Sequence, residues 1–211
     1  MFPRLYAICD AEVCASAGWP LEDFAAACMD GGARLLQLRA KHSTSADFLR
    51  ITEAVMARAA ASGATIIVND RADIARLAGA HGVHVGQDDL RPADVRRIVG
   101  AGAVVGLSTH DHDQLASAVD EPVTYIAVGP IFGTTTKATG YTAVGLDLVR
   151  EASAVAGSRQ LPVAAIGGIT LERAAAVIEA GATTVAVITD LLVGGGPEVR
   201  VRAFLDELSR V

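Results

Sequence analysis

Aromatic side chains are scarce in this sequence. They make up 4% of its 211 residues, although hydrophobic residues in total make up 51%. The apolar mass is therefore mostly alanine, valine, isoleucine and leucine, and small and β-branched side chains of this kind suit buried parallel strands covered by helices. A chain of this length is typical of one domain and is long enough to bury a sizeable core.

Positive charge and long apolar runs are also in short supply. The net charge is −6, so the chain has no general basic field and nucleic acid is not an expected partner. No run approaches the ~18 apolar residues of a membrane span, and residues 1–9 lack the basic and apolar regions of a signal peptide. These absences predict a cytoplasmic protein without a membrane partner, and they leave a homo-oligomer open.

Cysteine is the third scarce residue. Cys9, Cys14 and Cys28 are odd in number, lie near the N-terminus and have a spacing that fits no zinc knuckle. We therefore expect reduced thiols that are packed in or near the core.

Short apolar runs recur along the chain with helical stretches between them. Eight runs are strand candidates: residues 5–8, 35–38, 65–68, 82–85, 104–107, 125–128, 163–166 and 184–188. The clearest helical stretches are residues 24–30, 44–61, 171–180 and 197–208. Cap candidates precede several of them and glycine follows several of them, as expected at helix ends.

Eight successive strand–helix units predict a single (β/α)₈ TIM barrel, an α/β fold, over residues 1–211. The rival is a doubly wound open sheet, which usually has fewer strands and a glycine-rich turn after the first one. Here residues 9–12 are Cys-Asp-Ala-Glu, which lack that glycine pattern. No linker, low-complexity tract or second domain interrupts the series.

Polar residues cluster at the predicted C-terminal strand ends, where barrels of this kind place their chemistry. Gln37, Arg39 and Lys41 alternate at the end of the second strand and so share one side of it. If that side faces the barrel mouth, Arg39 suits planar hydrogen bonding to an anion and Lys41 suits a phosphate. A solvated strand end with an arginine ion pair is the alternative.

Carboxylates follow the third and fourth strands. Asn69-Asp70 ends one strand and Asp88-Asp89 follows the other. Two carboxylates at neighbouring strand ends repel each other unless a cation bridges them or one is protonated. Mg²⁺ held by one or two carboxylates and by substrate phosphate oxygens fits this pattern. We interpret Asp88 as a helix N-cap, which leaves Asp70 and Asp89 as metal ligands.

Later strand ends carry hydroxyls and glycines. Ser108 either binds phosphate or caps the next helix, and His84 is expected inside the barrel with hydrogen-bond partners. A Gly-Pro break then precedes Thr134-Thr135-Thr136-Lys137, whose hydroxyls and cation suit a phosphate, although a floppy polar loop is the alternative. Gly167-Gly168 allows close approach of backbone N–H groups to an anion, and barrel phosphate sites often follow strands seven and eight.

In their order and spacing, these motifs together resemble the thiamine-phosphate synthase family. The resemblance covers residues 6–189 and rests on Gln37-Leu38-Arg39-Ala40-Lys41, Val68-Asn69-Asp70-Arg71, the stretches 82–90 and 129–137, and Ala165-Ile166-Gly167-Gly168-Ile169. It implies a transferase that joins a hydroxymethylpyrimidine pyrophosphate to a thiazole phosphate and releases pyrophosphate.

The resemblance also implies roles for individual residues. Those for the pyrimidine and its pyrophosphate are Gln37, Arg39, Lys41, Asn69 and Lys137, with Ser108 touching the pyrimidine substrate or its leaving group. Those for the thiazole phosphate are Thr134, Thr136, Gly168, Ile188 and Thr189, and those for Mg²⁺ are Asp70 and Asp89. Mg²⁺, Lys41 and Lys137 would stabilise the departing pyrophosphate in a dissociative displacement that needs no protein nucleophile.

Two positions depart from the family's usual pattern. Thr189 stands where serine is usual and Gly133 where proline is frequent, which bears on binding strength more than on reaction type. Two other functions stay open. One is a thiazole tautomerase on the same fold, with His110 as acid and base, and the other is a non-catalytic barrel that binds a phosphorylated ligand.

Overall fold

Eight parallel strands close into one barrel in the computed structural model, which describes residues 2–133, 142–194 and 196–211. Each strand pairs with the next along the chain, and the last pairs with the first. The strands are β1 (Leu5–Asp10), β2 (Leu35–Arg39), β3 (Thr65–Asn69), β4 (Gly82–Val85), β5 (Val104–Thr109), β6 (Tyr125–Val128), β7 (Val163–Ile166) and β8 (Thr184–Val187). The predicted (β/α)₈ barrel and its eight strands are confirmed.

Helices alternate with these strands throughout the described residues. They are α1 (Ala11–Ser16), α2 (Leu21–Asp30), α3 (Ser45–Ser62), α4 (Ala72–Ala78), α5 (Pro92–Val99), α6 (His112–Ala118), α7 (Gly145–Gly157), α8 (Leu171–Glu179) and α9 (Pro197–Leu208). A short 3₁₀ helix, Thr189–Leu192, follows β8 directly. None of the helices in this part of the chain has the length and apolar character needed to cross a membrane.

Helix starts correct two interpretations of the sequence. Asp88 is not an N-cap, because α5 begins four residues later at Pro92, a residue that suits the first helical position, and its cap position is Arg91. Ser108 does not cap α6 either. Asp111 does so, since its side chain accepts a hydrogen bond from the backbone N–H of Gln114.

Strand alternation divides the core into two layers. One layer lies between the strands and the helices and contains Leu36, Val83 and Val185, among many others. The other lies inside the barrel, where Tyr6 of β1 contacts Tyr125 of β6 although the two strands are not neighbours in the sheet. Side chains at alternate strand positions therefore project toward the barrel axis, as in other barrels of this type.

The thiols belong to the outer layer. Cys9, Cys14 and Cys28 are free and buried between β1, α1 and α2, as the sequence predicts. Burial, followed by the nearby Cys28, raises the pKa of Cys14 to about 12. Cys14 thus stays protonated, and all three thiols face away from the barrel interior.

Candidate active site

A cavity of about 490 Å³ opens at the C-terminal ends of the strands. Small side chains leave room for it, because β6, β7 and β8 line it with Ala127, Ala164 and Ala186, and the largest lining side chain from these three strands is Ile166. Polar groups of β1, β2, β4 and β5 lie opposite these small apolar side chains. One wall is therefore smooth and apolar, and the other can form directed hydrogen bonds.

Five polar side chains form a continuous hydrogen-bonded series at the base of the cavity, which we call the floor network: Gln37, Tyr6, Tyr125, His84 and Ser108. The Nε2 of Gln37 donates to the Tyr6 hydroxyl at 2.8 Å, and the two tyrosine hydroxyls are 2.9 Å apart. The Nδ1 of His84 lies 2.8 Å from the Tyr125 hydroxyl, and its Nε2 lies 2.8 Å from the Ser108 Oγ. The expected hydrogen-bonded interior position of His84 is confirmed.

The opposite end of the cavity is lined by tight backbone turns. Gly167 and Gly168 both have positive φ, at 104° and 62°. A Cβ added at Gly168 would lie 2.7 Å from the carbonyl oxygen of Gly133, so the loops after β6 and β7 touch through backbone. Only glycine satisfies both the conformation and the contact.

Arg173 spans these two loops. Its Nη1 donates to the Gly168 carbonyl at 3.0 Å, and its guanidinium carbon lies 4.7 Å from the centre of the Phe132 ring. Ile188 and Thr189, at the start of the 3₁₀ helix, line the same region. Among the described residues, this end of the cavity presents backbone groups and the Arg173 guanidinium, a combination suited to an anion.

Charged side chains occupy the ends of β1 and β2. Arg39 forms a salt bridge with Asp10, and the other carboxylate oxygen of Asp10 accepts from the backbone N–H groups of Glu12 and Val13 at 3.1 Å. The Arg39 Nε is buried and has no hydrogen-bond partner among the described residues. Because an unpaired buried donor is costly, this atom is suited to a ligand that supplies an acceptor.

Asp70 directly follows β3 and has an unusual backbone conformation. Its φ is +61°, its own N–H donates to the His84 carbonyl at 2.8 Å, and the N–H of Arg71 donates back to the Asn69 carbonyl at 2.7 Å. Non-glycine residues adopt this region infrequently, and such positions gather at functional sites. The turn aims the Asp70 carboxylate at its neighbours, where the Lys41 Nζ lies 3.1 Å away.

Two carboxylates meet beside Lys41. Burial, and then the hydrogen bond to Asp89 and the charge of Asp89, raise the pKa of Asp70, while Lys41 partly offsets this effect. The Asp89 Oδ2 also accepts from the Gly86 N–H at 2.8 Å. This crowding of oxygens fits a hard divalent cation that takes one or two carboxylates and completes its shell with phosphate and water. No group of three or more candidate ligands occurs in the described part of the chain.

The structure separates the predicted site residues into two regions. Those that line the cavity are Gln37, Ser108, Gly168, Ile188 and Thr189. Those at the ends of β2 and β3 and in the loops beyond β2 to β4, outside that lining, are Arg39, Lys41, Asn69, Asp70 and Asp89. Thr134, Thr136 and Lys137 fall within 134–141, outside the described residues.

Sequence reasoning missed four residues that shape this site: Asp10, Tyr6, Tyr125 and Arg173. Of these, only Asp10 could have been predicted from the sequence. It lies at every second position after Tyr6 and Ile8 in β1, so its side chain faces the same side of the strand. His110 lines the cavity, with its Nδ1 2.6 Å from the Gly129 carbonyl.

The fold and the position of this site define a (β/α)₈-barrel enzyme whose polar groups gather at the C-terminal ends of the strands. Within that class, residues 5–191 match the model of the thiamine monophosphate synthase family, and the chain belongs to that family.

Similar proteins from other organisms agree with this assignment. The chain is 45% identical over 208 residues to a thiamine-phosphate synthase of Koribacter versatilis, covering 98% of this chain and 96% of that protein. It is 39% identical to the thiamine-phosphate synthase of Thermus thermophilus, covering 99% and 98%. The solved structure of a thiamine phosphate pyrophosphorylase from Pyrococcus furiosus has a TM-score of 0.87 over 98% of this chain and 96% of that one. At 23% identity that structure supports the fold alone.

Proposed function

We propose that this chain is a thiamine-phosphate synthase, a Mg²⁺-dependent transferase that couples a hydroxymethylpyrimidine pyrophosphate to a thiazole phosphate and releases pyrophosphate. The observation that carries the proposal is the meeting of Asp70, Asp89 and Lys41 beside a half-apolar, half-polar cavity. This arrangement offers separate places for a metal-bound pyrophosphate and for two organic rings.

Asp70 and Asp89 would hold one Mg²⁺. When bound, the ion supplies positive charge to the oxygens of the leaving pyrophosphate. Lys41 adds a second positive charge from the end of β2, and Arg39 presents its buried Nε, while Asp10 fixes the guanidinium. We assign Lys137 the corresponding role from the loop after β6.

The pyrimidine ring would lie on the floor network. Gln37 and Ser108 reach the cavity from strands that are not neighbours, so they can contact different atoms of one ring. Asn69 is buried at the end of β3, where it precedes Asp70 and pairs in register with His84 of β4. We assign it contacts to the pyrimidine and its pyrophosphate.

The thiazole phosphate would bind at the opposite end of the cavity, at Gly168, Ile188 and Thr189, with Thr134 and Thr136 added from the loop after β6. In this arrangement the thiazole nitrogen would face the pyrimidine methylene carbon within the cavity, beside its alanine-lined wall. Breaking the carbon–oxygen bond sends the electron pair to pyrophosphate, and the thiazole nitrogen then supplies the pair for the new carbon–nitrogen bond. Positioning and electrostatics supply the rate, and no protein nucleophile is required.

The compartment and partners follow from the same proposal. We assign the enzyme to the cytoplasm, acting on small phosphorylated substrates, with neither nucleic acid nor a membrane as partner. The net charge of −6 supports the exclusion of nucleic acid.

Pyrophosphate release by purified protein tests the metal site. Asp70→Asn and Asp89→Asn should each lower the rate by at least about a hundredfold, because several kcal/mol of charge stabilisation are lost. Asp73→Asn is the matched control, since Asp73 is an exposed acid paired with Arg71 on α4. Equal activity in Asp70→Asn and Asp73→Asn, at any concentration of Mg²⁺, would contradict the assignment.

A further inference from the structure

The hydrogen bonds of the floor network run in one donor-to-acceptor order, which the contact of Gln37 with Tyr6 determines. A neutral glutamine donates only through Nε2, so the Gln37 contact makes the Tyr6 hydroxyl an acceptor. The Tyr6 proton is then available for the Tyr125 oxygen, 2.9 Å away. Tyr125 in turn points its proton at the Nδ1 of His84. A neutral His84 must then carry its proton on Nε2 and donate it to the Ser108 Oγ.

With the Nε2 of Gln37 facing the Tyr6 hydroxyl, the opposite direction leaves one buried proton without an acceptor. If Tyr125 donated to Tyr6, the Tyr6 oxygen would accept two hydrogen bonds while its own proton had no acceptor among its contacts in the described residues. Tyr6 is 1% exposed, so water cannot replace that acceptor. An unsatisfied buried donor costs about 1–3 kcal/mol. The arrangement that starts at Gln37 satisfies every member and is therefore favoured.

Burial and packing keep this arrangement in place. Burial raises the pKa of both Tyr6 and Tyr125 well above the usual range, so both phenols keep their protons at neutral pH. Gly106 of β5 makes room for the central contact, because a Cβ there would lie 2.1 Å from the Tyr125 Cζ and 2.5 Å from the His84 Nδ1.

We propose that Tyr6, Tyr125 and His84 are positioning residues that hold His84 as its Nε2–H tautomer and thereby make Ser108 a hydrogen-bond donor toward the cavity. Gln37 then offers the opposite group. Its Nε2 is used by Tyr6, and its Oε1 makes no hydrogen bond within the described residues and is open to the cavity that Gln37 lines.

An acceptor and a donor that line the same cavity match the hydrogen-bonding groups of an aminopyrimidine. The exocyclic amino group would donate to the Gln37 Oε1, and a ring nitrogen would accept from the Ser108 hydroxyl. A ring with a carbonyl in place of the amino group would place two acceptors together and be rejected, because buried polar groups would stay unpaired. The identity of this ligand rests on the proposed function, whereas the tautomer of His84 does not.

Nitrogen-15 NMR of histidine-labelled protein without substrate tests the tautomer. The chain has five histidines, and His84→Gln identifies the signals of His84 by their loss. We expect the neutral Nε2–H form in the unaltered protein and a mixture of tautomers in Tyr125→Phe, which removes the donor to Nδ1. Phe2→Leu is the matched control, because Phe2 packs on the Tyr125 ring at 5.3 Å and takes no part in the hydrogen bonds.

Kinetics provide the second readout. In Tyr125→Phe the KM for the pyrimidine pyrophosphate should rise about tenfold, the effect of weakening roughly one hydrogen bond, with the KM for the thiazole phosphate unchanged. Phe2→Leu should alter neither constant.

The outcomes separate the two proposals. An Nδ1–H tautomer in the unaltered protein would overturn the direction of the network, and this result needs no variant to fold. Unchanged NMR and KM in a folded Tyr125→Phe would overturn the positioning role. Nε2–H in the unaltered protein together with no synthase activity would support the network and overturn the proposed function alone.

Discussion

Asp70 illustrates how a single residue can be better suited to a ligand than to the folded chain alone. Its positive φ is an unfavourable backbone conformation for a residue other than glycine. Its partial burial and the neighbouring Asp89 carboxylate disfavour the ionised side chain in the absence of a bound metal ion. Residues that serve a site in this way commonly lower the stability of the protein.

The raised pKa of Asp70 predicts how the stability of the Asp70→Asn variant depends on pH. A carboxyl group whose pKa is raised by folding binds its proton more tightly in the folded state. It therefore favours folding below its unfolded pKa, and that contribution is lost as the pH rises through the raised value. In buffer with a chelator, Asp70→Asn should thus gain thermal stability relative to the unaltered protein as the pH is raised from 4 to 8 (roughly the range above the ordinary Asp pKa).

Asp73→Asn should show the opposite sign. Hydrogen bonding to Arg71 lowers the pKa of Asp73, so its contribution is present above the unfolded pKa and is lost as the pH falls through the lowered value. Because this pair is exposed, the loss at neutral pH should stay within about 1 kcal/mol. Thermal unfolding curves that gave both variants the same pH trend would contradict this account.

Gly106 is a second case at the residue scale. Gly106→Ala should destabilise the protein by about 1–3 kcal/mol in urea unfolding, the usual cost of overpacking a core, because its methyl group would displace Tyr125 and His84. Gly102→Ala is the control in open space, with nothing within 4 Å, and should change stability by less than about 0.5 kcal/mol. Equal destabilisation by the two substitutions would show that the barrel interior accommodates a methyl group at Gly106, which contradicts the close contacts there.

At the scale of elements, β1 with α1 and α2 encloses the thiols. Cys9, Cys14 and Cys28 are each at most 1% exposed. A thiol reagent should therefore label none of them in the native protein within minutes, and all three after unfolding in guanidinium, since only the exposed thiolate reacts. Rapid native labelling would mean that this part of the barrel opens locally.

The turn between β7 and α8 provides another test at this scale. Gly168→Ala and Gly63→Ala impose similar backbone strain, at φ values of +62° and +69°, but only the former meets another loop. Both should lose about 1–2 kcal/mol from strain. Only Gly168→Ala should raise the KM for the thiazole phosphate, by roughly tenfold or more, because its methyl group pushes the Gly133 backbone away. An unchanged KM would remove this turn from the phosphate site.

At the scale of the whole molecule, the order of the strands was predictable because each apolar run lies between turn residues. Gly82–Val85 and Val163–Ile166 match their predicted bounds. β1 continues through Asp10 and β5 through Ser108 and Thr109. Ser108 faces the cavity in the barrel interior, whereas the buried Thr109 hydroxyl donates to the Ala127 carbonyl, so each polar group is satisfied within the strand. A local sequence pattern cannot show which way such a side chain faces, so the apolar runs are shorter than the strands.

The site was predictable where a polar residue interrupts an apolar run, as at Gln37 and Ser108. It was not predictable where the residue type suits a core, as at Tyr6 and Tyr125, whose hydroxyls meet across 119 residues of sequence. The N-cap assigned to Asp88 was wrong because Pro92 gives an equally good start four residues later. Closure of the barrel, rather than local sequence, brings these groups together.

The most direct test of the central claim is the stoichiometry of the reaction. Purified protein is given the pyrimidine pyrophosphate, the thiazole phosphate and Mg²⁺, and thiamine phosphate is measured by mass spectrometry beside released pyrophosphate. We predict one thiamine phosphate for each pyrophosphate, with neither product formed when either substrate or the metal is left out. Pyrophosphate released at the same rate without the thiazole phosphate, or no product under any of these conditions, would contradict the assignment of the chain as a synthase.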